Sequence, residues 1–309
     1  MEMLINWLGT LPGNAAQGLI WGIMAIGVYI TFKILDLADL TVDGSMVTGM
    51  ATCAILMVNG WNVWPAMGVA FVAGMAAGLI TGFFHTLFGI PAILSGILTQ
   101  LILWSVNLKI MGKANQGLPS RKYDVLVTQM HQYQALVYLF VFCVVIVALL
   151  YWFFGTKYGM SIRATGCNEK MSRAQGINTS RNKVVGLALS NGIVALAGAL
   201  LAQYSGKADI SDGRGAIVIG LAAVIIGEAV VSKMGQNFVI RLIGVLVGGI
   251  IYYFVYGSVI FLGLDTDLLK MLSAVVVAIF LAVPYLKKTY FSKPKIVDDE
   301  DEKEVAANA

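Results

Sequence analysis

Charge is scarce in this 309-residue sequence: Asp, Glu, Lys and Arg together make up 12% of it, and 58% is hydrophobic. Soluble domains carry about 25% charged residues, so a mean hydropathy of +0.80 excludes an ordinary soluble domain. Histidine is scarcer still. His85 and His131 lie far apart in sequence and suggest no shared site. No GxxxxGK[ST], HExxH or GxSxG pattern is present, so phosphate-cradling, zinc-peptidase and serine-hydrolase chemistry lack their residues. Three cysteines, Cys53, Cys143 and Cys167, have no CxxC spacing, and two sit in apolar runs, which argues against a disulfide framework or a zinc site. The formal net charge of +4 is too small to indicate a nucleic-acid partner. The chain is therefore expected to be no enzyme and to carry no metal or cofactor of its own.

What it does have is long apolar stretches free of charge: Met3 to Phe32, Gly44 to Phe84, Thr86 to Leu108, Ala135 to Thr156, Val184 to Tyr204 and Leu242 to Leu264. A membrane-crossing helix needs about 20 such residues. The runs are continuous and rich in Gly and Ala, not alternating with period two, so the spans are helices and not barrel strands. The fold class is an all-α polytopic membrane protein. Helices are expected near 15–34, 45–59, 64–88, 91–111, 135–155, 184–204, 215–232, 237–257 and 267–286, about nine in all, within a range of eight to ten. Asn59-Gly60, Trp61, Trp64 and Pro65 mark a tight interfacial turn that splits the second run. The amino end has no basic region ahead of its apolar run, so the first helix is expected to remain in the mature protein. Residues 1–286 read as one membrane domain. The remainder, 287–309, is basic and then acidic ("DDEDEKEVAANA") and reads as a disordered tail.

Lys and Arg orient the chain. Residues 156–183 hold Lys157, Arg163, Lys170, Arg173, Arg181 and Lys183 against the single acid Glu169, which places this loop in the cytoplasm. Four further crossings bring the carboxyl end to the same side. Counting backward puts the loop 113–134 outside, although Lys113, Arg121 and Lys122 run against the rule.

Polar residues within or beside the spans are the candidates for a translocation path. Asp36, Asp39 and Asp43 fall at i, i+3 and i+7, one face of a helix, and "VDG" (42–44) is expected to break that helix beside an aqueous cavity. The alternative is an acidic interfacial loop. Gln100, Ser105, Asn107 and Asn191 either line a path or bond between helices. Glu228 lies near a helix end, either as a gate or tied to Lys233, while Lys33 and Lys109 are placed to snorkel. Glycines 74, 78 and 82 form a GxxxG ladder, and "ALAGALLA" (195–202) repeats small residues. Both allow close helix packing, within one chain or between two copies.

Within the basic loop, Asn168 is a strong N-cap and Glu169 suits the first turn. Arg173 follows Glu169 by four residues, and Gly176 is a natural stop. A two-turn helix over 169–175 is expected, too short to stand without packing. Lys170, Met171, Ser172 and Ala174 are its expected exposed surface, suited to a protein groove.

The segment 158–202 resembles the cytoplasmic coupling segment and following helix of permease subunits of bacterial ABC importers, in the branched-chain amino acid and ribose group. The likeness is carried by Gly159, Arg163, Ala164, Gly166, Asn168, Gly176, Ile177, Asn178, Gly198 and Ala199. The stretches 27–49 and 93–115 are similar to a narrower branch that accompanies lipoprotein receptors and is associated with tryptophan and tyrosine. The resemblance covers the chain apart from both tails. It implies a type II-like importer permease in the bacterial cytoplasmic membrane: a second copy of the chain, a cytoplasmic ATPase dimer holding ATP and Mg, an extracytoplasmic binding lipoprotein, and surrounding lipid. It further implies that Asn168 to Ala174 and Gly176 couple to the ATPase. A gradient-driven carrier, a sugar or nucleoside permease, and a passive channel are the competing readings.

Overall fold

The structure, a computed structural model, describes residues 2–231, 237–261 and isolated positions between 271 and 282. The helices are α1 (Glu2–Tyr29, continued by a π-helical turn, Ile30–Ile34), α2 (Val42–Val58), α3 (Val63–Thr86), α4 (Ala92–Met111), α5 (Gln132–Gly155), α6 (Lys157–Cys167), α7 (Glu169–Ala174), α8 (Thr179–Ser205), α9 (Ala216–Val231) and α10 (Phe238–Phe261). Six of these are long and apolar enough to cross a membrane, and α2 and α9 are shorter apolar helices. The helix expected near 267–286, the tail 287–309 and Lys233 lie outside the described residues.

One feature departs from the all-α expectation, and one helix was not foreseen. Strand β1 (Asn115–Gly117) pairs antiparallel with β2 (Lys207–Asp209), joining the loop after α4 to the loop after α8. Residues 157–167, for which no helix was expected, form α6, whose first turn is closed by Thr156 Oγ1 accepting from Gly159 N at 3.3 Å.

Helix α8 is the axle of the bundle because its small residues let neighbouring backbones come close. The glycine ladder of α3 packs within the chain: Gly74 sits against Asn191 and Ala195, Gly78 against Leu187, and Gly82 against Val184. Gly49 of α2 abuts the Ala195 carbonyl, and Gly198 abuts that of Met46. A side chain at any of these positions would overlap backbone, so close van der Waals packing replaces the hydrophobic driving force that lipid cannot supply.

These contacts also set directions. Tyr204 donates to Gly13 O, Ser190 donates to Gly27 O, and Leu35 rests on Gly186, so α1 runs antiparallel to α8. Ser45 meets Asn191 and Cys53 meets Gln203, so α2 runs parallel to it. The β1–β2 ribbon therefore lies at the end of the bundle opposite α6 and α7. That is the relative placement expected for 113–134 and 156–183.

Candidate functional site: a helix break and the loop that presses on it

Between α1 and α2 the helix ends at Ile34, where the span 15–34 was expected to end, and so stops short of the helical face expected through Asp43. It widens into the π turn, closed by Leu35 N donating to Ile30 O at 3.1 Å, and residues 36–39 have no regular structure. Asp36 is exposed at φ 54, the sole non-glycine residue with positive φ among those described. The "VDG" motif does not end a helix; it begins α2. The expectation that Asp36, Asp39 and Asp43 share one helical face is thus corrected: the first two lie in the break and the third in the next helix.

Asp39, 3% exposed, carries the fold of the break. One carboxylate oxygen accepts from Thr41 N at 2.9 Å, an Asx turn that starts α2. The other accepts from Asn191 Nδ2 at 2.7 Å, and Asn191 Oδ1 accepts from Ser45 Oγ at 2.6 Å. Beside them the hydroxyls of Thr41, Thr81 and Thr99 form a chain at 2.7 and 2.9 Å. Asn191 lies twelve residues into α8, about 18 Å from its start, so this knot sits deep within a hydrocarbon core about 30 Å thick. At that depth every open backbone group needs a partner from the protein.

Asp43 does the same for α9. Its two oxygens accept from Gly215 N at 3.0 Å and Ile217 N at 2.9 Å, capping α9 from the first turn of α2. A carboxylate suits the positive end of that helix. The start of α9 is therefore held at the depth of the break, with cavities on both sides. The first is water-sized, about 20 Å³, and brings together Asp43, Gln100 and Asn107 with Trp104 and Arg214. Asn107, 1% exposed, donates to Gly44 O at 3.3 Å, and its Oδ1 has no hydrogen-bond partner among the described residues. The second cavity, about 360 Å³, is lined by Trp21, Tyr252, Tyr253, Tyr256, Asp212 and Arg214. Arg214 borders both and stacks on Trp104 at 4.4 Å.

Three of the path candidates, Asp43, Gln100 and Asn107, meet at one cavity. Asp39 is instead locked into the helix junction, and Asp36 stands apart. Asn191 bonds between helices, and Glu228 pairs with Lys33 of the π turn at 2.7 Å. Sequence reading missed Arg214 and the Trp21–tyrosine cluster. The "DGRG" turn (212–215) was the available signal for the first; nothing local marks the second, because aromatics are common in spans.

The α6–α7 unit abuts this break. Gly166 packs directly on the Ile34 carbonyl, where a side chain would collide with backbone. Asn182 donates to Ser161 Oγ at 2.7 Å and Thr165 Oγ1 at 2.8 Å, fastening α6 to α8. The short helix α7 is closed at both ends. Asn168 Oδ1 accepts from Met171 N at 3.0 Å, and a Schellman pair, Ile177 N to Ser172 O and Gly176 N to Arg173 O, ends it with Gly176 at φ 80. Glu169 holds α7 to α8, accepting from Arg173 at 2.6 Å and Lys183 at 2.9 Å. The Lys183 ammonium, then Arg173 and Thr179, keep its carboxyl below the usual glutamate range against some desolvation. Ser172 is buried at 4% exposure, which corrects its expected place on the outer face: it is the side on which α7 rests. Lys170, Met171 and Ala174 are exposed, as is Arg173.

Comparison with known proteins finds relatives over most of the chain. A tyrosine transport system permease protein of Clostridioides difficile is 39% identical over 266 residues, 86% of this chain and 88% of that protein. An uncharacterised protein of Rickettsia prowazekii is 32% identical over 269 residues, 86% of this chain and 94% of its own. The autoinducer 2 import system permease protein of Escherichia coli is 28% identical over 253 residues, 78% of this chain and 67% of its own. No solved structure matches the chain. The family model for the permease component of branched-chain amino acid transport systems matches residues 13–283, and with six apolar helices of spanning length the chain is a multi-pass membrane protein belonging to that family.

Proposed function

We propose that the chain is the membrane-spanning subunit of an ATP-driven importer. It would work as a pair with a second copy, above a cytoplasmic ATPase dimer and below an extracytoplasmic binding protein. The observation that carries this reading is the contact of α6 with the break: Gly166 on Ile34 ties a loop with an outward-facing short helix to the one place where the spans are interrupted. An ATPase engaging Lys170, Met171 and Ala174 of α7 would move α6. A rigid α6 would pass that movement to the junction of Asp39, Asn191 and Asp43, an alternating-access device. The sequence holds no GxxxxGK[ST] pattern, and in this reading the energy comes from the partner.

The solute is an aromatic amino acid. The Clostridioides difficile relative's name supports an amino acid, and the cavity at the α9 start offers rings together with charge of both signs. Trp21 and Tyr253 lie 5.8 Å apart between centroids, with Arg214 and Asp212 placed for a carboxylate and an ammonium.

Reconstitution in proteoliposomes with the ATPase and binding protein tests both parts. Tyrosine uptake should require internal ATP and all three components. Uptake that persists without the ATPase would establish a gradient-driven carrier instead, and a receptor that selects a sugar or nucleoside would replace the substrate.

A further inference from the structure

The side of the bundle formed by α5 and α10 carries a groove that the transport reading does not use. Between the two helices runs a slot of about 450 Å³, floored by Leu19 and lined by residues such as Phe140, Val144, Val147, Ile243 and Val247, with no charged side chain among the described residues. Toward the α6 end a second hollow of about 360 Å³ opens, lined by Trp152, Thr156, Phe238 and Arg163. Tyr151 borders both, and the hollow follows the slot at the carboxyl end of α5 and precedes it at the amino end of α10, so the two form one groove, apolar along its length and basic at its mouth.

Arg163 is exposed, its guanidinium 5.3 Å from the Phe238 ring centroid, and it makes no ion pair among the described residues. Among the described residues no acidic side chain lines the hollow. Helix α6 begins beside it at Thr156, adding the positive end of a helix dipole. Trp152 and Tyr151 are half or more exposed at this level, the usual place of aromatic anchors in a bilayer interface. From Phe140 to Tyr151 the slot runs about 16 Å along α5, enough for most of a fatty acyl chain.

We infer that this groove is a specific site for an anionic phospholipid, with an acyl chain in the α5–α10 slot and the phosphate on Arg163. Basic pockets between spans at the membrane surface take such headgroups. Arg163 belongs to α6, so the bound lipid would anchor the same helix that presses on the Ile34 carbonyl. The inference rests only on the chain crossing a membrane and is independent of the solute carried.

Native mass spectrometry of the full purified chain in detergent tests it, with phosphatidylglycerol and phosphatidylcholine of matched chains as probes. The chain should retain phosphatidylglycerol about fivefold better, the preference one basic side chain provides near a charged interface. Arg163→Gln should bring phosphatidylglycerol down to the phosphatidylcholine level, while Arg181→Gln, an exposed base elsewhere in the loop, should leave the preference intact. Val144→Trp, which fills the slot from the lipid-facing side and spares the core, should reduce retention of both lipids. Equal retention of the two lipids by the unaltered chain, or an Arg163→Gln protein that keeps its preference, would overturn the site. So would a Val144→Trp protein that retains both lipids yet loses self-association, for the groove would then be covered by a second copy.

Discussion

In the 156–183 loop each helix start is made within three residues: Thr156 caps toward Gly159, Asn168 toward Met171, and Asn178 toward Arg181. In the break between α1 and α2 the partners come from the far half of the chain. Asp39 reaches Asn191 across 152 positions, Ser45 reaches the same residue across 146, and Asp43 reaches Gly215 across 172. The loop is built to keep its shape while α7 presents Met171, 60% exposed, to something else. Beyond the local Asp39–Thr41 turn, the break takes its shape only as α2, α8 and α9 assemble around it. A transporter needs both kinds of part, a stiff handle and a junction whose geometry depends on how its helices sit.

The sharpest way to separate the two is to damage the handle's outer face alone. Ala174→Glu adds a charge on the exposed side of α7, where it touches no buried group and costs the fold only the small penalty of an acid at a helix end. If that face enters a dry ATPase groove, an unpaired charge there costs about 2 to 5 kcal/mol, more than tenfold in association. The variant should insert and melt as the unaltered chain does, yet fail to retain or stimulate its ATPase in co-purification. Full retention with normal stimulated hydrolysis would leave α7 a connector.

The same chemical change made in each region tests the comparison directly. Asn191→Ala strands the buried Asp39 carboxylate and the Ser45 hydroxyl together, at about 2 kcal/mol. That figure lies between the worth of a hydrogen bond to a charged group and the smaller values typical within membranes. It should lower the melting temperature of the whole bundle and abolish transport. Asn168→Ala removes one N-cap, worth about 1 kcal/mol, and should loosen α7 alone, seen as faster hydrogen exchange at Met171 to Gln175 with an unchanged melting temperature. Equal global effects from both would mean that the loop and the break are a single cooperative unit.

What could be read from the sequence follows the same division. Asn168, Glu169, Arg173 and Gly176 act through neighbours three to five residues away, so α7 was legible to within a residue. The spans were legible because apolar length is a local property. Ser172 was misplaced because the face a six-residue helix buries depends on α8, which contributes Thr179 and Lys183 from beyond the next turn. The break was expected after Asp43 because "VDG" is a turn signal in isolation. It falls around Asp36 and Asp39 instead, and Asp43, claimed by the Gly215 and Ile217 amides, lies in the first turn of α2. Gln100, Asn107 and Asp43 were named singly from their polarity, and only the packing of α2 against α4 shows that they share a cavity.

The smallest effect expected concerns the clamp that holds the handle to its axle. Glu169 joins α7 to α8 through Lys183 and Arg173, and its carboxyl titrates below the ordinary glutamate value of 4.5 because the charged form is hydrogen-bonded to Lys183. A group depressed in the folded state contributes its stability above its unfolded value and loses it as pH falls through the folded one. The α7 clamp should therefore be intact at neutral pH and weaken from about pH 4.5 downward. About a third of the Glu169 side chain is exposed, so solvent screens the pair and the contribution stays at the modest level of surface ion pairs. The measurement is the reaction rate of a thiol at Met171→Cys across about pH 7 to pH 3.5, made with a pH-insensitive reagent and compared with the same protein carrying Glu169→Gln. Labelling should rise on acidification only where Glu169 is present, and the Gln protein should label at the faster rate throughout. Parallel curves for the two would show that α7 is held by its caps and by the buried Ser172 side alone, with no help from the ion pairs, which would make the handle more local still.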